Sequence, residues 1–174
     1  DLLYGLKAPR EGVVEIDGRD VRDLRLGDLR SQVALVRHAE IFEGTVLENL
    51  RLGDEKLDTL DARAALAQVG LLQGVSQLPD GVHTQLRTGG LPLSPGQRVQ
   101  LELARALVHK PRLLILDECV DLLDDLPERE MLLAFLFDPK MPWTLIMVSH
   151  SQDVLDRCGT VFQLSNRSVV EVKR

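Results

Sequence analysis

The apolar positions of this chain fall into two rhythms. Continuous apolar runs occur in "RLLILD" (112–117) and "TLIMVS" (144–149). Runs of that length predict strands buried on both faces of a parallel sheet. "GVVEIDG" (12–18) and "SQVALV" (31–36) predict two further strands, and "VFQL" (161–164) and "SVVEV" (168–172) predict a hairpin about "SNR". Between these runs the apolar residues recur at three and four, which predicts helices over 57–69, 96–108, 127–137 and 152–157. Strands alternating with helices make an α/β fold. The stretch from about 50 to 100 carries no strand pattern and predicts an inserted, mostly helical subdomain. Leu2, Leu3 and Leu6 predict the tail of an apolar helix, stopped by Pro9 and Gly12. A helix that short is marginal without earlier turns, so the pattern also predicts a chain cut into at its N-terminal side. The apolar residues of 131–137 predict the face of a helix that packs on the sheet.

Composition narrows this little. A length of 174 residues suits one domain or slightly more, with a sizeable core. The net charge of −6 argues against a nucleic-acid binder, which would present a basic face. It leaves room for nucleotide phosphates, which need only local positive potential. The two cysteines, Cys119 and Cys158, form no CxxC and no framework, and Cys119 reads as a small core residue. No apolar run is long enough to span a bilayer. His83 and His109 read as surface residues.

Two places carry candidate chemistry. In "LSPGQ", Ser94 suits an N-cap and Pro95 the first helical position. Gly96, Gln97 and Arg98 would then direct N–H groups outward, where the helix dipole favours an anion. Most capped helices bind nothing, and taken alone this stretch reads first as one of those. The second place is the carboxyl end of the sheet, where ligands of open α/β folds sit. One predicted strand ends in Asp117 and Glu118, another in His150. An acidic pair suits Mg²⁺-nucleotide chemistry, with one carboxylate on the metal and its neighbour on an attacking water. His150 could hydrogen-bond a terminal phosphate or that water.

These residues sit in a longer pattern. "LSPGQRVQLELARALVHKPRLLILDE" resembles the signature-to-Walker-B block of ABC-family ATPases. "GVVEIDGRDVRDLRLGDLRSQVALV" resembles that family's antiparallel strands and the turn after them. "IFEGTVLENL" and "LPDGVHTQLRTGG" resemble loops of its exporter-type members, "DLLD" its D-loop and "TLIMVSH" its switch-histidine strand. The resemblance covers essentially all 174 residues. It implies a P-loop NTPase (RecA-like) core, truncated at the N-terminus, with an inserted helical subdomain. Residues 1–174 would form a partial nucleotide-binding domain, with about 1–49 and 106–174 as the catalytic-core lobe and about 50–105 as the helical subdomain.

The roles implied are specific. Asp117 would lie near Mg²⁺, Glu118 would polarise the attacking water, and His150 would meet the γ-phosphate. Ser94, Gly96 and Gln97 would reach the ATP held by a second, head-to-tail nucleotide-binding domain, with Asp124 at that interface. His38 stands where the family has the Q-loop glutamine. Asp121 stands where the D-loop has a small hydroxyl residue and adds charge close to Glu118, Pro95 replaces the first signature glycine, and Thr88 takes a loop position that is often acidic. The Walker A pattern GxxGxGK[ST] does not occur in these residues. Without it these residues alone would bind ATP poorly and be inactive.

The resemblance therefore implies the ATP-hydrolysing domain of an exporter-type transporter, with ATP and Mg²⁺ bound. Its partners would be a transmembrane domain and a second nucleotide-binding domain, without nucleic acid, at the cytoplasmic face of a membrane. Two alternatives remain from the same residues. One is a divergent, weakly catalytic domain that supplies its signature face to a partner. The other is a soluble ABC ATPase outside transport.

Overall fold

A computed structural model describes residues 1–37, 40–123, 127, 129–165 and 168–173. In chain order the elements are β1 (Glu15–Ile16), β2 (Arg19–Asp20), α1 (Leu26–Arg30), β3 (Val33–Val36), β4 (Gly44–Thr45) and α2 (Val46–Arg51). Then come α3 (Thr59–Gln68), α4 (Leu72–Ser76), β5 (Gln85–Leu86), α5 (Pro95–Val108) and β6 (Leu113–Asp117). The last are α6 (Arg129–Leu136), β7 (Thr144–Val148), α7 (Gln152–Arg157), β8 (Val161–Ser165) and β9 (Ser168–Lys173).

The main sheet is parallel, in the order β3-β6-β7, so β6 is its central strand. Val36, Leu116 and Met147 stand side by side across it, as do Ala34, Leu114 and Leu145. This face meets the core: Val36, Leu114 and Leu116 are buried with Leu132, Leu133 and Leu136 of α6, Val154 of α7 and most of α5. The expectation of burial on both faces fails at β7. Ile146 and Val148 point to the other face and stay exposed, whereas Val33, on that face of β3, is buried. An apolar run records only that both faces can be buried.

The helices form where caps and apolar faces agree. Ser94 and Gln97 make a capping box at the start of α5, and Thr45 and Glu48 make one at the start of α2. Asp58 and Asp61 do the same for α3. Val99, Leu101, Leu103, Ala104 and Leu107 then bury α5 against α2, α3 and β3. Leu132, Leu133 and Leu136 are the buried face predicted within 131–137, while Met131 is exposed.

Three expectations are corrected. Residues 1–7 form turns, with Gly5 N donating to Leu2 O at 3.0 Å and Leu6 N to Asp1 O at 2.9 Å. Gly5 takes a left-handed φ of 68°, which ends any helical run there. The strand expected over 12–18 shrinks to Glu15–Ile16, although the antiparallel pairing expected there is present: Ile16 pairs with Arg19 across Asp17-Gly18, both at positive φ, the geometry of a two-residue turn. The stretch from 50 to 100 is helical but contributes β5, paired antiparallel with β4. The predicted hairpin forms as β8 and β9, with Phe162, Leu164 and Val169 exposed. No helix among the described residues is long and apolar enough to cross a membrane.

Candidate active site

Two strand ends build the site. β6 and β7 run parallel and in register, Asp117 opposite Val148, so the residues that follow each strand emerge together. Glu118 N donates to Val148 O at 2.9 Å and extends the ladder by one rung. The backbone of Glu118 then turns left-handed, with φ 58°, and the chain leaves the sheet. This turn carries the Glu118 carboxylate to His150, whose Nε2 lies 3.5 Å from Glu118 Oε1. Both side chains face solvent, Glu118 at 58% and His150 at 85% exposure.

The loop that carries His150 is hydrogen-bonded on both sides. Asp121 Oδ1 accepts from Ser149 Oγ at 2.5 Å, and its Oδ2 accepts from His150 N at 3.2 Å. Ser149 Oγ also accepts from Ser151 N at 3.0 Å. Ser151 Oγ donates to Asp153, which pairs with Arg129 at 2.6 Å. The Arg129 guanidinium, helped by the Ser151 hydroxyl, holds the Asp153 carboxyl well below the usual carboxylate range.

Asp117 has a cationic neighbour that the sequence did not announce. Arg37, one residue after β3, places Nε 3.3 Å from Asp117 Oδ2 and donates from Nη2 to Asp1 at 2.6 Å. The donor chemistry at Asp117 still suits Mg²⁺, which takes one or two carboxylates together with substrate phosphates. Both side chains are about one-third exposed, and the Arg37 Nε that faces Asp117 is itself buried.

The mouth of α5 is a separate locus. No hydrogen bond or ion pair among the described residues links it to Glu118 or His150. Ser94 caps the helix: its Oγ accepts from Gln97 N at 3.2 Å, and Ser94 N donates to Gln97 Oε1 at 2.9 Å. Arg98 N donates to Ser94 O at 3.0 Å. Two of the three N–H groups expected to face outward are therefore committed within the helix, and only that of Gly96 is left by the cap. The Arg98 side chain turns back to the preceding loop and donates to Gly89 O at 2.7 Å. That loop needs its glycine: Gly90 has φ 82°, and a Cβ there would sit 2.7 Å from Arg98 Cδ. Thr88 donates to Glu43 Oε1, so a carboxylate does stand beside this position. His38 and Asp124 lie outside the described residues.

α5 also carries a buried ionic pair. Glu102 of α5 pairs with Arg105 at 3.1 Å, and Arg105 also donates to Glu40 O at 2.9 Å. Burial pushes the Glu102 carboxyl up, although Arg105 opposes the shift. Cys119 is buried, and its thiol is pushed up to about 12, first by burial and then by the charge of Glu102. Such a thiol is inert at neutral pH, in keeping with a core role. An acid whose pKa is raised by folding supports the fold below its unfolded value and opposes it as pH rises through the folded value. Glu102→Gln is therefore expected to raise stability at pH 7 by about 1 kcal/mol or less, since Gln keeps an acceptor for Arg105. The gain should vanish as pH falls through the carboxylate range. Thermal melts from pH 4 to 8 check this, and a variant less stable at pH 7 would show that the ion pair outweighs the burial cost.

The chain as a whole is similar to several known proteins. The family model described as "ABC transporter" matches residues 1–121. The multidrug resistance protein sirA of Leptosphaeria maculans is 35% identical over 173 residues, covering 98% of this chain and 14% of that protein. The mycobactin import ATP-binding/permease protein IrtB of Mycolicibacterium thermoresistibile is 33% identical over 171 residues, covering 98% and 29%. The ATP-dependent lipid A-core flippase of Desulfotalea psychrophila is 32% identical over 163 residues, covering 93% and 28%. Among solved structures, a bacterial Atm1-family ABC exporter with ATP bound superposes with a TM-score of 0.85 at 25% identity, covering 95% of this chain and 29% of that one. The chain thus spans between 14% and 29% of the length of these proteins.

Proposed function

We infer, from the premise that this chain belongs to the ABC transporter family, that it is the ATP-binding and ATP-hydrolysing part of an exporter-type transporter. The observation that carries the reading is the approach of His150 Nε2 to Glu118 Oε1, 3.5 Å, at the carboxyl ends of two parallel strands. Relatives whose names specify drug resistance, mycobactin import and lipid flipping share this segment, so it is the part common to their different cargoes. The α/β fold with its parallel sheet fits the P-loop NTPase class of that family. We assign about 1–49 and 106–174 to the catalytic-core lobe and about 50–105 to the helical subdomain.

ATP is the substrate in this reading. Asp117 would hold Mg²⁺ through water, and the ion would offset charge on the phosphates. Glu118 orients a water against the γ-phosphorus and draws on its proton. The water oxygen bonds to phosphorus, the bond to the β–γ bridging oxygen breaks, and ADP leaves. His150 donates to the γ-phosphate and keeps it in line with that water. Little covalent work falls to the protein, so positioning and electrostatics supply the rate.

Ser94, Gly96 and Gln97 belong, in this reading, to the face that meets ATP on a second, head-to-tail nucleotide-binding domain. Gly96 carries the N–H that the cap leaves for a phosphate. Asp124 is assigned to that interface and His38 to the Q-loop position. The remaining partner is a transmembrane domain, which places the chain at the cytoplasmic face of a membrane. Since the 174 residues include no GxxGxGK[ST] loop, hydrolysis is assigned to the intact protein and not to these residues alone.

A second reading has one observation in its favour. Arg37 occupies Asp117 where a divalent cation would bind, which suits a weakly hydrolysing domain that mainly serves a partner. Phosphate release by the intact protein tests the first reading. Release should saturate with ATP, require Mg²⁺ and stop with a chelator. Release no greater than that of a heat-inactivated control overturns it.

A further inference from the structure

We propose that Asp121 is the positioning residue of this site: its carboxylate grips the loop after β7 and sets where His150 stands against Glu118. The inference rests on the reading of Glu118 and His150 as groups that serve ATP hydrolysis.

The His150 side chain has little of its own to hold it. It is 85% exposed, and its 3.5 Å approach to Glu118 is longer than the roughly 2.7–3.2 Å of a good N–H···O bond. The place of the ring therefore depends on the backbone of 149–151. Asp121 takes two donors from that segment, the Ser149 side-chain hydroxyl at 2.5 Å and the backbone His150 N at 3.2 Å. An ionised carboxylate gives nothing and accepts on both oxygens, so it can satisfy both at once. The grip is anchored, because Asp121 lies in the turn Val120–Leu123 between two fully buried core residues, Val120 and Leu123. On the far side Ser151 joins Asp153 and Arg129, the first residue of α6. The His150 loop is thus tied to the elements on both sides of the segment 124–128. The charge that the sequence adds beside Glu118 is engaged by these donors.

The test uses the intact protein with Asp121→Leu, Asp121→Asn and Ser149→Ala, and reads two signals. Hydrogen exchange of the His150 amide, measured without nucleotide, reports the grip itself. Steady-state ATP hydrolysis reports whether the grip serves chemistry. Asp121→Leu should speed the His150 amide exchange by about tenfold or more and lower kcat by about tenfold, with KM for ATP within about twofold. Asp121→Asn should stay close to the parent in both, because its oxygen accepts from His150 N while its amide donates to Ser149 Oγ. Ser149→Ala, the milder change, should lower kcat several-fold and add nothing to Asp121→Leu. It keeps the question answerable if Asp121→Leu fails to fold.

Unchanged exchange and unchanged kcat in Ser149→Ala and Asp121→Leu overturn the proposal. So does an Asp121→Asn variant as impaired as Asp121→Leu, which would point to charge and not to hydrogen-bond geometry. If the parent itself hydrolyses no ATP, the functional reading fails, and the exchange data alone then decide whether the grip exists.

Discussion

Glu118→Gln in the intact protein is expected to lower kcat for ATP hydrolysis by about a hundredfold or more, with KM for ATP changed only a few-fold. Glutamine matches glutamate in size and keeps an oxygen toward His150, so the backbone turn at φ 58° and the Glu118 N to Val148 O bond are undisturbed. What disappears is a group that can draw a proton from the attacking water. A general base contributes about 10²–10⁴ in rate, and the lower end suits a site where phosphate charge is also stabilised by other groups. Phosphate release gives kcat, and a thermal melt within a degree or so of the parent excludes unfolding. Equal rates in the two proteins would favour the second reading, in which Arg37 at Asp117 marks a domain that hydrolyses little.

Leu116→Ala should cost the fold about 3 kcal/mol, within the 2–5 kcal/mol typical of emptying a buried leucine site. Leu116 is fully buried, flanked across the sheet by Val36 and Met147, and directly precedes Asp117. The cavity would open beneath the strand end that carries the acidic pair. Ile146→Ala, two strand positions before Val148 on the exposed face, should cost about 0.5–1 kcal/mol, because part of that side chain is already in water. Urea midpoints of the intact protein measure the contrast. Equal losses would mean that the outer face of β7 is covered in the intact protein as tightly as the inner one.

The sequence displayed the acidic pair and His150 because each follows a short apolar run of strand length, and parallel strands present their carboxyl ends together. α5 was equally legible, since Ser94, Pro95 and the apolar rhythm after them all specify the same start. Elements too short to hold a period were not. β4 and β5 have two residues each, and α2 has six; its one signal was the Thr45-x-x-Glu48 capping box. The helix expected at Leu2–Leu6 failed on one backbone angle, that of Gly5, which no side-chain pattern records. Arg37, and the contacts of Asp121, were missed for another reason. Their partners, Asp117, Ser149 and His150, are distant in sequence, and only the β3-β6-β7 register brings them into reach. Asp121 looked like a surplus charge near Glu118; in space it belongs to the loop of His150.

The backbone at Glu118 has a consequence for how such a chain drifts over generations. A left-handed turn costs an L-residue about 1–2 kcal/mol, and glycine escapes that cost. Random change filtered only for folding would therefore favour glycine or asparagine at this position. Each would leave a sturdier protein that has lost its carboxylate. On the role proposed for Glu118, keeping glutamate there trades stability for chemistry, which would make position 118 a gauge of whether a lineage still uses its fuel or has kept the scaffold alone.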